Sequence, residues 1–179
     1  MIDDGSKHAS FPRTAPLPSL LILFHSRTGG SLAMAEAFLE GAQSEAGIEV
    51  RIMPFSHCQA DDLLAASAYA FIGPENLGGL SGAMKECFDR HYYPLLGRVQ
   101  GRRYQHLVCA GSDGQGAAKQ LARIVQGWRL VAIQEAFIVC TQAQSEEAIL
   151  APKQLAPASL AACREIGLQV AAGLAIGAY

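Results

Sequence analysis

The chain has 179 residues and a formal net charge of -2, with 50% of its residues hydrophobic and 17% charged. That length fits one domain with a full core needing no staples, and the lack of any basic run or stripe argues against a nucleic-acid partner or an anionic membrane surface. No segment is long and apolar enough to span a bilayer, and the start MIDDGSKHASFPRTAPLPS lacks the apolar core of a signal peptide, so a cytoplasmic location is expected.

Residues 1–18 carry three prolines and little apolar pattern, and read as an extended or disordered tail without chemistry. Residues 19–179 read as a single domain. Its first segment, LLILFHSRTGGS (20–31), is an unbroken apolar run that stops in a loop of hydroxyls and glycines. Such a run suits a strand covered on both faces. Gly29 and Gly30 permit a tight turn, Ser31 is the expected N-cap, and Leu32, Ala35, Leu39 and Ala42 form a helical stripe. Backbone amides, hydroxyls and a helix dipole then meet at one point, which makes a phosphate cradle. The same residues also serve as an ordinary βα turn, so this loop alone leaves both readings open.

Gly47 is expected at the helix C-cap, and IEVRIMPF alternates as an edge strand does. DDLLAAS gives a short helical turn, AYAFIG a third unalternating strand, and PENLGGLSG a second glycine-rich loop. A long helix follows with Leu80, Met84, Cys87, Phe88, His91 and Leu95 on one face, bent or ended by Pro94. RYQHLVCAG is the fourth strand and GSDGQGA a third glycine-rich loop. The next helix has Ala118, Leu121, Val125 and Trp128 as its stripe and Gly127 at its end. RLVAIQEAFIVC is the fifth strand; after a polar connection with Pro152 and Pro157, a last helix runs from about Ala158 to Gly173 with Leu160, Cys163, Gly167, Val170 and Leu174 inward.

Five β-α repeats predict an α/β doubly wound, five-stranded parallel sheet with helices on both faces. An edge-like second strand beside a central first strand fits the order 2-1-3-4-5, which puts the three Gly/Ser-rich loops around one crevice at the switch point. The five cysteines, Cys58, Cys87, Cys109, Cys140 and Cys163, show no CxxC pair and no His at metal-ligand spacing, so no metal site is expected. Four fall on apolar faces as small hydrophobes. Cys58, in SHCQADD, is the one expected to be exposed and reactive.

Over roughly Leu20 to Cys140 these motifs resemble flavodoxin-like flavoproteins. HSRTGGS is similar to their phosphate loop, Ser-x-Thr-Gly-x-Thr before a helix, with Ser31 where Thr is usual and Gly30 where Asn is common. GPENLGGLSGAMKECFDR resembles the second flavin loop and helix of the NAD(P)H-dependent FMN reductases and their quinone-reductase relatives. The resemblance implies that Ser26, Thr28, Gly29, Gly30 and Ser31 hold the phosphate of FMN with Arg27 alongside. It implies further that Pro74, Glu75, Asn76, Leu77, Gly78 and Gly79 run along the isoalloxazine ring, the two glycines letting the backbone approach it. Gly111, Ser112, Asp113, Gly114 and Gln115 would close the other side. For Glu75 and Asp113, direct contact and a solvated loop carboxylate both stay open.

By the same resemblance the chain is expected to be an enzyme, an FMN-dependent oxidoreductase drawing on NADPH or NADH and passing electrons to a small molecule: a quinone, a nitro or azo compound, or free flavin. No catalytic side chain is then required, because the flavin carries the chemistry. A homodimer or homotetramer is implied, with the C-terminal GLAIGAY as a candidate contact. A flavodoxin-type electron carrier is the alternative, ranked second because such carriers are strongly acidic and sandwich the flavin between aromatics. A non-catalytic binding module is the third. A response-regulator receiver is excluded by the strand ends His25-Ser26 and Gly73-Pro74, which lack its acidic cluster, and a Cys-x5-Arg phosphatase by the absence of that spacing. Lys85 and Asp89 read as a helix-surface ion pair, His91, Tyr92 and Tyr93 as interface or core residues, and His25 as structural.

Overall fold

In a computed structural model, residues 17–179 are described; residues 1–16 of the expected tail lie outside the described residues. In chain order the elements are β1 (Ser19–Phe24), α1 (Gly30–Gln43), β2 (Glu49–Pro54), a single 3-10 turn (Phe55–His57), α2 (Ala60–Ala65), β3 (Ala68–Asn76) and β4 (Gly79–Leu80). They continue with α3 (Gly82–Leu95), β5 (Arg103–Ala110), α4 (Gln115–Gln126), β6 (Val131–Ala132), β7 (Phe137–Cys140), α5 (Glu146–Leu150) and α6 (Pro157–Ala175).

The apolar run of β1 lies inside the sheet because it is paired in parallel on both edges, Ile22 opposite Ile52 of β2 and Ala70 of β3. Leu20 to Leu23 are at most 1% exposed. Among the described residues β2 has no neighbour beyond β1, and its outward residues Glu49 and Arg51 are exposed as the alternation requires. β5 pairs with β3, and β6 and β7 both pair in parallel with the far edge of β5. The expected order 2-1-3-4-5 is therefore present, and among the described residues six strands fill the five expected positions, β6 and β7 sharing the last. β4 adds a two-residue antiparallel hairpin to the end of β3.

The expected fifth strand is broken between Ala132 and Phe137. At the break, the buried side chain of Gln105 donates to the Glu135 carbonyl at 3.1 Å, diverting an acceptor that a continuous ladder would have used. The gap opens a cleft of about 350 Å³ lined by Tyr104, His106, Ala118, Lys119, Gln134 and Glu135.

Helices α1 and α6 cover one face of the sheet, with Met34, Phe38, Cys163 and Val170 fully buried. Their axes approach closely because Gly41 and Gly167 lack side chains: a Cβ on Gly167 would lie 2.0 Å from the Phe38 carbonyl oxygen. The opposite face, under α3 and α4, holds an aromatic cluster. Phe88 sits at its centre, edge-on to Phe71 at 5.3 Å and beside Trp128 at 5.5 Å.

Several local expectations are corrected. Gly29, not Ser31, is the N-cap of α1, and Ser31 is buried in the first turn. α1 ends at Gln43, capped by Ser44, whose hydroxyl donates to the Gly41 carbonyl at 2.6 Å, so Gly47 does not cap it. Leu80 belongs to β4, and α3 starts at Gly82 and runs through Pro94 to Leu95. Ala117 replaces Ala118 on the buried stripe of α4, and Trp128 packs from beyond the helix end. The polar connection before the last helix contains α5, which was not expected. Cys58 is fully buried, and Cys140 is the half-buried cysteine.

His106 is 3% exposed, and neither ring nitrogen has a hydrogen-bond partner among the described residues. Burial pushes its pKa from 6.5 down to about 3, so the ring is neutral in the folded protein. Because the unfolded chain takes up this proton first, folding stability is lost as pH falls from about 6.5 toward 3. The protein should be about 2 kcal/mol less stable at pH 5 than at pH 7 from this residue. Urea unfolding at the two pH values checks this, and the difference should shrink in His106→Leu.

Candidate functional site

Three loops leave the C-terminal ends of β1, β3 and β5 and meet. In the first, the Ser26 hydroxyl accepts the Gly29 amide at 3.1 Å, and Gly29 turns the chain into α1 at φ 89°, a conformation that glycine adopts without strain. The first bond of the helix runs from the Ala33 amide to the Gly29 carbonyl at 2.9 Å. The amides of Gly30, Ser31 and Leu32 consequently have no intrahelical acceptor. Gly30 is required by space, since a Cβ there would lie 2.6 Å from Cys109 Sγ. His25, just upstream, donates its amide to the Ile72 carbonyl at 3.0 Å. Burial, then the nearby Arg27 charge, holds its imidazole below the usual pKa, so it is neutral near pH 7.

The second loop is the tip of the β3–β4 hairpin. Asn76 pairs with Gly79, and the two residues between them both have positive φ, Leu77 at 52° and Gly78 at 72°. A two-residue hairpin of this hand matches the twist of its strands, but a leucine there is strained. Leu77 nonetheless projects fully into solvent at 107% relative exposure.

Glu75 ties the second loop to the third. One carboxylate oxygen accepts the Gly114 amide at 2.8 Å and the other the Ala117 amide at 3.2 Å, so this side chain caps α4. It is neither a free solvated carboxylate nor simply a ligand contact, the two readings the sequence left open. The hairpin is also seated on α4 at Gly116, where a Cβ would lie 2.0 Å from the Gly78 carbonyl, and through Gln120, whose side chain accepts the Leu80 amide at 2.6 Å.

A fourth segment completes the enclosure. The Lys153 amide donates to the Thr28 carbonyl at 2.7 Å, and the Lys153 ammonium donates to the carbonyls of Ala148, Ile149 and Ala151 at 2.6–2.9 Å. One lysine thus closes the C-terminal end of α5 and anchors it beside the first loop.

Together these segments enclose a cavity of about 780 Å³, within the range usual for a cofactor or small-molecule site. Of the residues expected there, Ser26, Arg27, Thr28, Gly30, Ser31, Pro74, Glu75, Asn76, Leu77 and Gly111 line it. Gly29 shapes the turn behind it. Gly78 and Gly79 face α4: a Cβ on Gly79 would meet Gln120 at 2.6 Å, so Gly79 makes room for that side chain and not for a ligand. Ser112 and Asp113 are exposed beyond the rim, Gly114 is taken up by the Glu75 cap, and Gln115 lines the separate cleft at His106. Thr141, Ala143, Ile149, Leu150 and Lys153 also line the cavity and were not anticipated. The one signal for them was Ser145 ahead of EEAIL, a helix start whose hydroxyl accepts the Ala148 amide at 3.2 Å. Among the described residues, no aromatic side chain lines the cavity.

Lys85 and Asp89 form the expected exposed pair, with Nζ 2.5 Å from the carboxylate. His91 is buried, whereas Tyr92 and Tyr93 pack edge to face with each other on the surface at 39% and 81% exposure.

No family model matches the chain. A flavodoxin of Aquifex aeolicus (strain VF5) is 34% identical over 105 residues, a match covering 58% of this chain and 55% of that protein, so the similarity spans little more than half of either. Among solved structures, a flavodoxin from the domain Archaea superposes with a TM-score of 0.69 at 18% identity, covering 87% of this chain and 98% of its own. A flavodoxin, WrbA-like protein from Agrobacterium tumefaciens gives 0.66 at 20% identity, covering 88% and 97%. Two-electron reduced Megasphaera elsdenii flavodoxin gives 0.64 at 19% identity, covering 86% and 98%. The fold of the chain is flavodoxin-like.

Removing the carboxylate in Glu75→Ala should lower stability by about 1 to 2 kcal/mol, the value of a helix cap with charge-assisted bonds. Hydrogen exchange should quicken at the Gly114 and Ala117 amides; unchanged protection there would show that the cap is not formed in solution.

Proposed function

We propose that the chain binds FMN and works as a flavodoxin-type electron carrier. The observation that carries this reading is the convergence of the β1, β3 and β5 loops on one cavity, with the open N-terminal end of α1 at its wall. The flavodoxin of Aquifex aeolicus supports the carrier over the reductase that the loop motifs suggested.

The residues suit the cofactor. The amides of Gly30, Ser31 and Leu32, the hydroxyls of Ser26, Thr28 and Ser31 and the positive end of the α1 dipole suit a phosphate dianion without a metal. Arg27 adds charge at the exposed rim. The hairpin at Asn76 and Leu77, Gly111, and the aliphatic pair Ile149 and Leu150 suit a flat, largely apolar ring system. When bound, FMN supplies the electron chemistry, and the protein's part is to bind, orient and shield it.

A second reading, an NAD(P)H-dependent FMN oxidoreductase acting on a small acceptor, is favoured by two features. The lining is aliphatic where carriers use aromatics, and the net charge of -2 gives little electrostatic guidance toward a protein partner. The WrbA-like neighbour is in keeping with it. An anaerobic visible spectrum of the FMN-loaded protein separates the two. The carrier keeps its oxidised flavin spectrum when NADPH or NADH is added and loses it with a chemical reductant, whereas rapid bleaching by a nicotinamide establishes the reductase. No flavin loading at all would overturn both.

Thr28→Val should weaken FMN binding by about 1.5 to 3 kcal/mol, the value of one hydrogen bond to a charged group. Quenching of flavin fluorescence on titration measures it, and an unchanged dissociation constant would remove Thr28 from the phosphate site.

A further inference from the structure

Away from the cavity, two cysteine sulfurs and an imidazole nitrogen meet in the core under α3. Cys87 and His91 lie one helical turn apart, with Cys87 Sγ 3.4 Å from His91 Nδ1. Cys58 reaches them from the end of the 3-10 turn after β2, and the ligand atoms of all three residues lie within 4.8 Å of one another. The three residues are 0%, 1% and 3% exposed. The sequence hides this arrangement because Cys58 is distant in the chain, and the i, i+4 pair of Cys87 and His91 lies on a helix face that reads as packing.

We propose that Cys58, Cys87 and His91 form a binding site for a thiophilic d10 cation, Cu⁺ or Zn²⁺. The geometry is close to what such an ion needs. With metal–sulfur bonds of about 2.3 Å and metal–nitrogen bonds of about 2.0 to 2.1 Å, tetrahedral angles put the sulfur and nitrogen about 3.6 Å apart. The Cys87–His91 spacing of 3.4 Å already fits, and no pair of the three donor atoms is more than 4.8 Å apart. Two thiolates and an imidazole select soft ions over Mg²⁺ or Ca²⁺. Binding displaces the two thiol protons, so two protons are released per ion.

The surroundings accommodate the charge. Arg90 is held by Glu86 at 2.8 Å and donates to the Cys58 carbonyl at 3.0 Å, which places a guanidinium beside a site that is anionic with Cu⁺ and neutral with Zn²⁺. The same guanidinium approaches His91 Nε2 at 3.4 Å, and once Nδ1 binds the metal that nitrogen carries a hydrogen, so Arg90 keeps its carboxylate and carbonyl contacts and gives up this approach. Three protein donors satisfy Cu⁺ directly, whereas Zn²⁺ takes one further small ligand. Either ion clips the end of the 3-10 turn after β2 to the middle of α3, whose first residue, Gly82, lines the large cavity.

The test uses the full chain, reduced, stripped with a chelator and kept anaerobic. Titration with Zn²⁺ against a chromophoric chelator, and separately with Cu⁺ against a Cu⁺-specific one, should show one tightly held ion per chain. The two affinities, each set against the availability of its ion, decide which of the two the site holds. X-ray absorption of the loaded, unmutated protein should show two sulfur ligands at about 2.3 Å and nitrogen at about 2.0 to 2.1 Å. Cys58→Ser, Cys87→Ser and His91→Gln should each lower affinity by about tenfold or more, while Cys140→Ser leaves it unchanged. The proposal is overturned if the folded, reduced protein retains neither ion, if the shell lacks sulfur, or if Cys140→Ser abolishes binding. A stable Cys58–Cys87 disulfide in freshly isolated protein would also overturn it, making the pair a thiol switch instead.

Discussion

The open amides at the start of α1 are the constraint on which the rest of the structure depends. Helix termini leave several backbone donors without partners, and burying them unsatisfied is costly. Here Gly30 and Ser31 are buried at the head of the helix, and among the described residues no side chain accepts from the first amides of α1. Everything nearby holds that terminus in place without closing it. Ser26 fixes the turn, Cys109 and the Lys153 stem fill the space where a side chain on Gly30 would go, and the Lys153 backbone ties the far wall to Thr28.

The contrast with α4 sharpens the point. That helix also starts from a left-handed glycine at the same edge of the sheet, yet the Gly114 and Ala117 amides there are taken by Glu75. The carboxylate supplies to α4 what a bound anion would supply to α1. It also couples the two loops that would flank a ring: the hairpin is braced against α4 by Glu75, Gly116 and Gln120. One end of the cavity thus offers unpartnered helix amides and the other a braced hairpin with aliphatic neighbours, which is the basis for proposing a phosphorylated planar cofactor there.

Much of the fold was legible in the sequence because burial wrote it there. The run from Leu20 to Phe24 could only be a central strand, the alternation from Ile48 to Ile52 only an edge, and the three glycine-rich loops marked the switch point. Misreadings arose where a side chain acts over a long sequence distance. Glu75 caps a helix 39 and more residues away, Gln120 explains Gly79, and Gln105 bonds across the break in the last strand. Lys153 belongs to the cavity through main-chain and carbonyl contacts that no residue pattern encodes. Cys58, placed in a polar heptapeptide, is buried because the 3-10 turn folds it back under α3.

The central claim is that the first turn of α1 holds a phosphate, and comparing ligands that differ only in that group tests it most directly. Fluorescence titration of the flavin-free protein with FMN and with riboflavin gives the two dissociation constants under identical conditions. Several charge-assisted hydrogen bonds to the phosphate predict that FMN binds about a hundredfold or more tightly than riboflavin. Equal affinity for the two flavins would contradict the account, since the cavity would then recognise the ring alone.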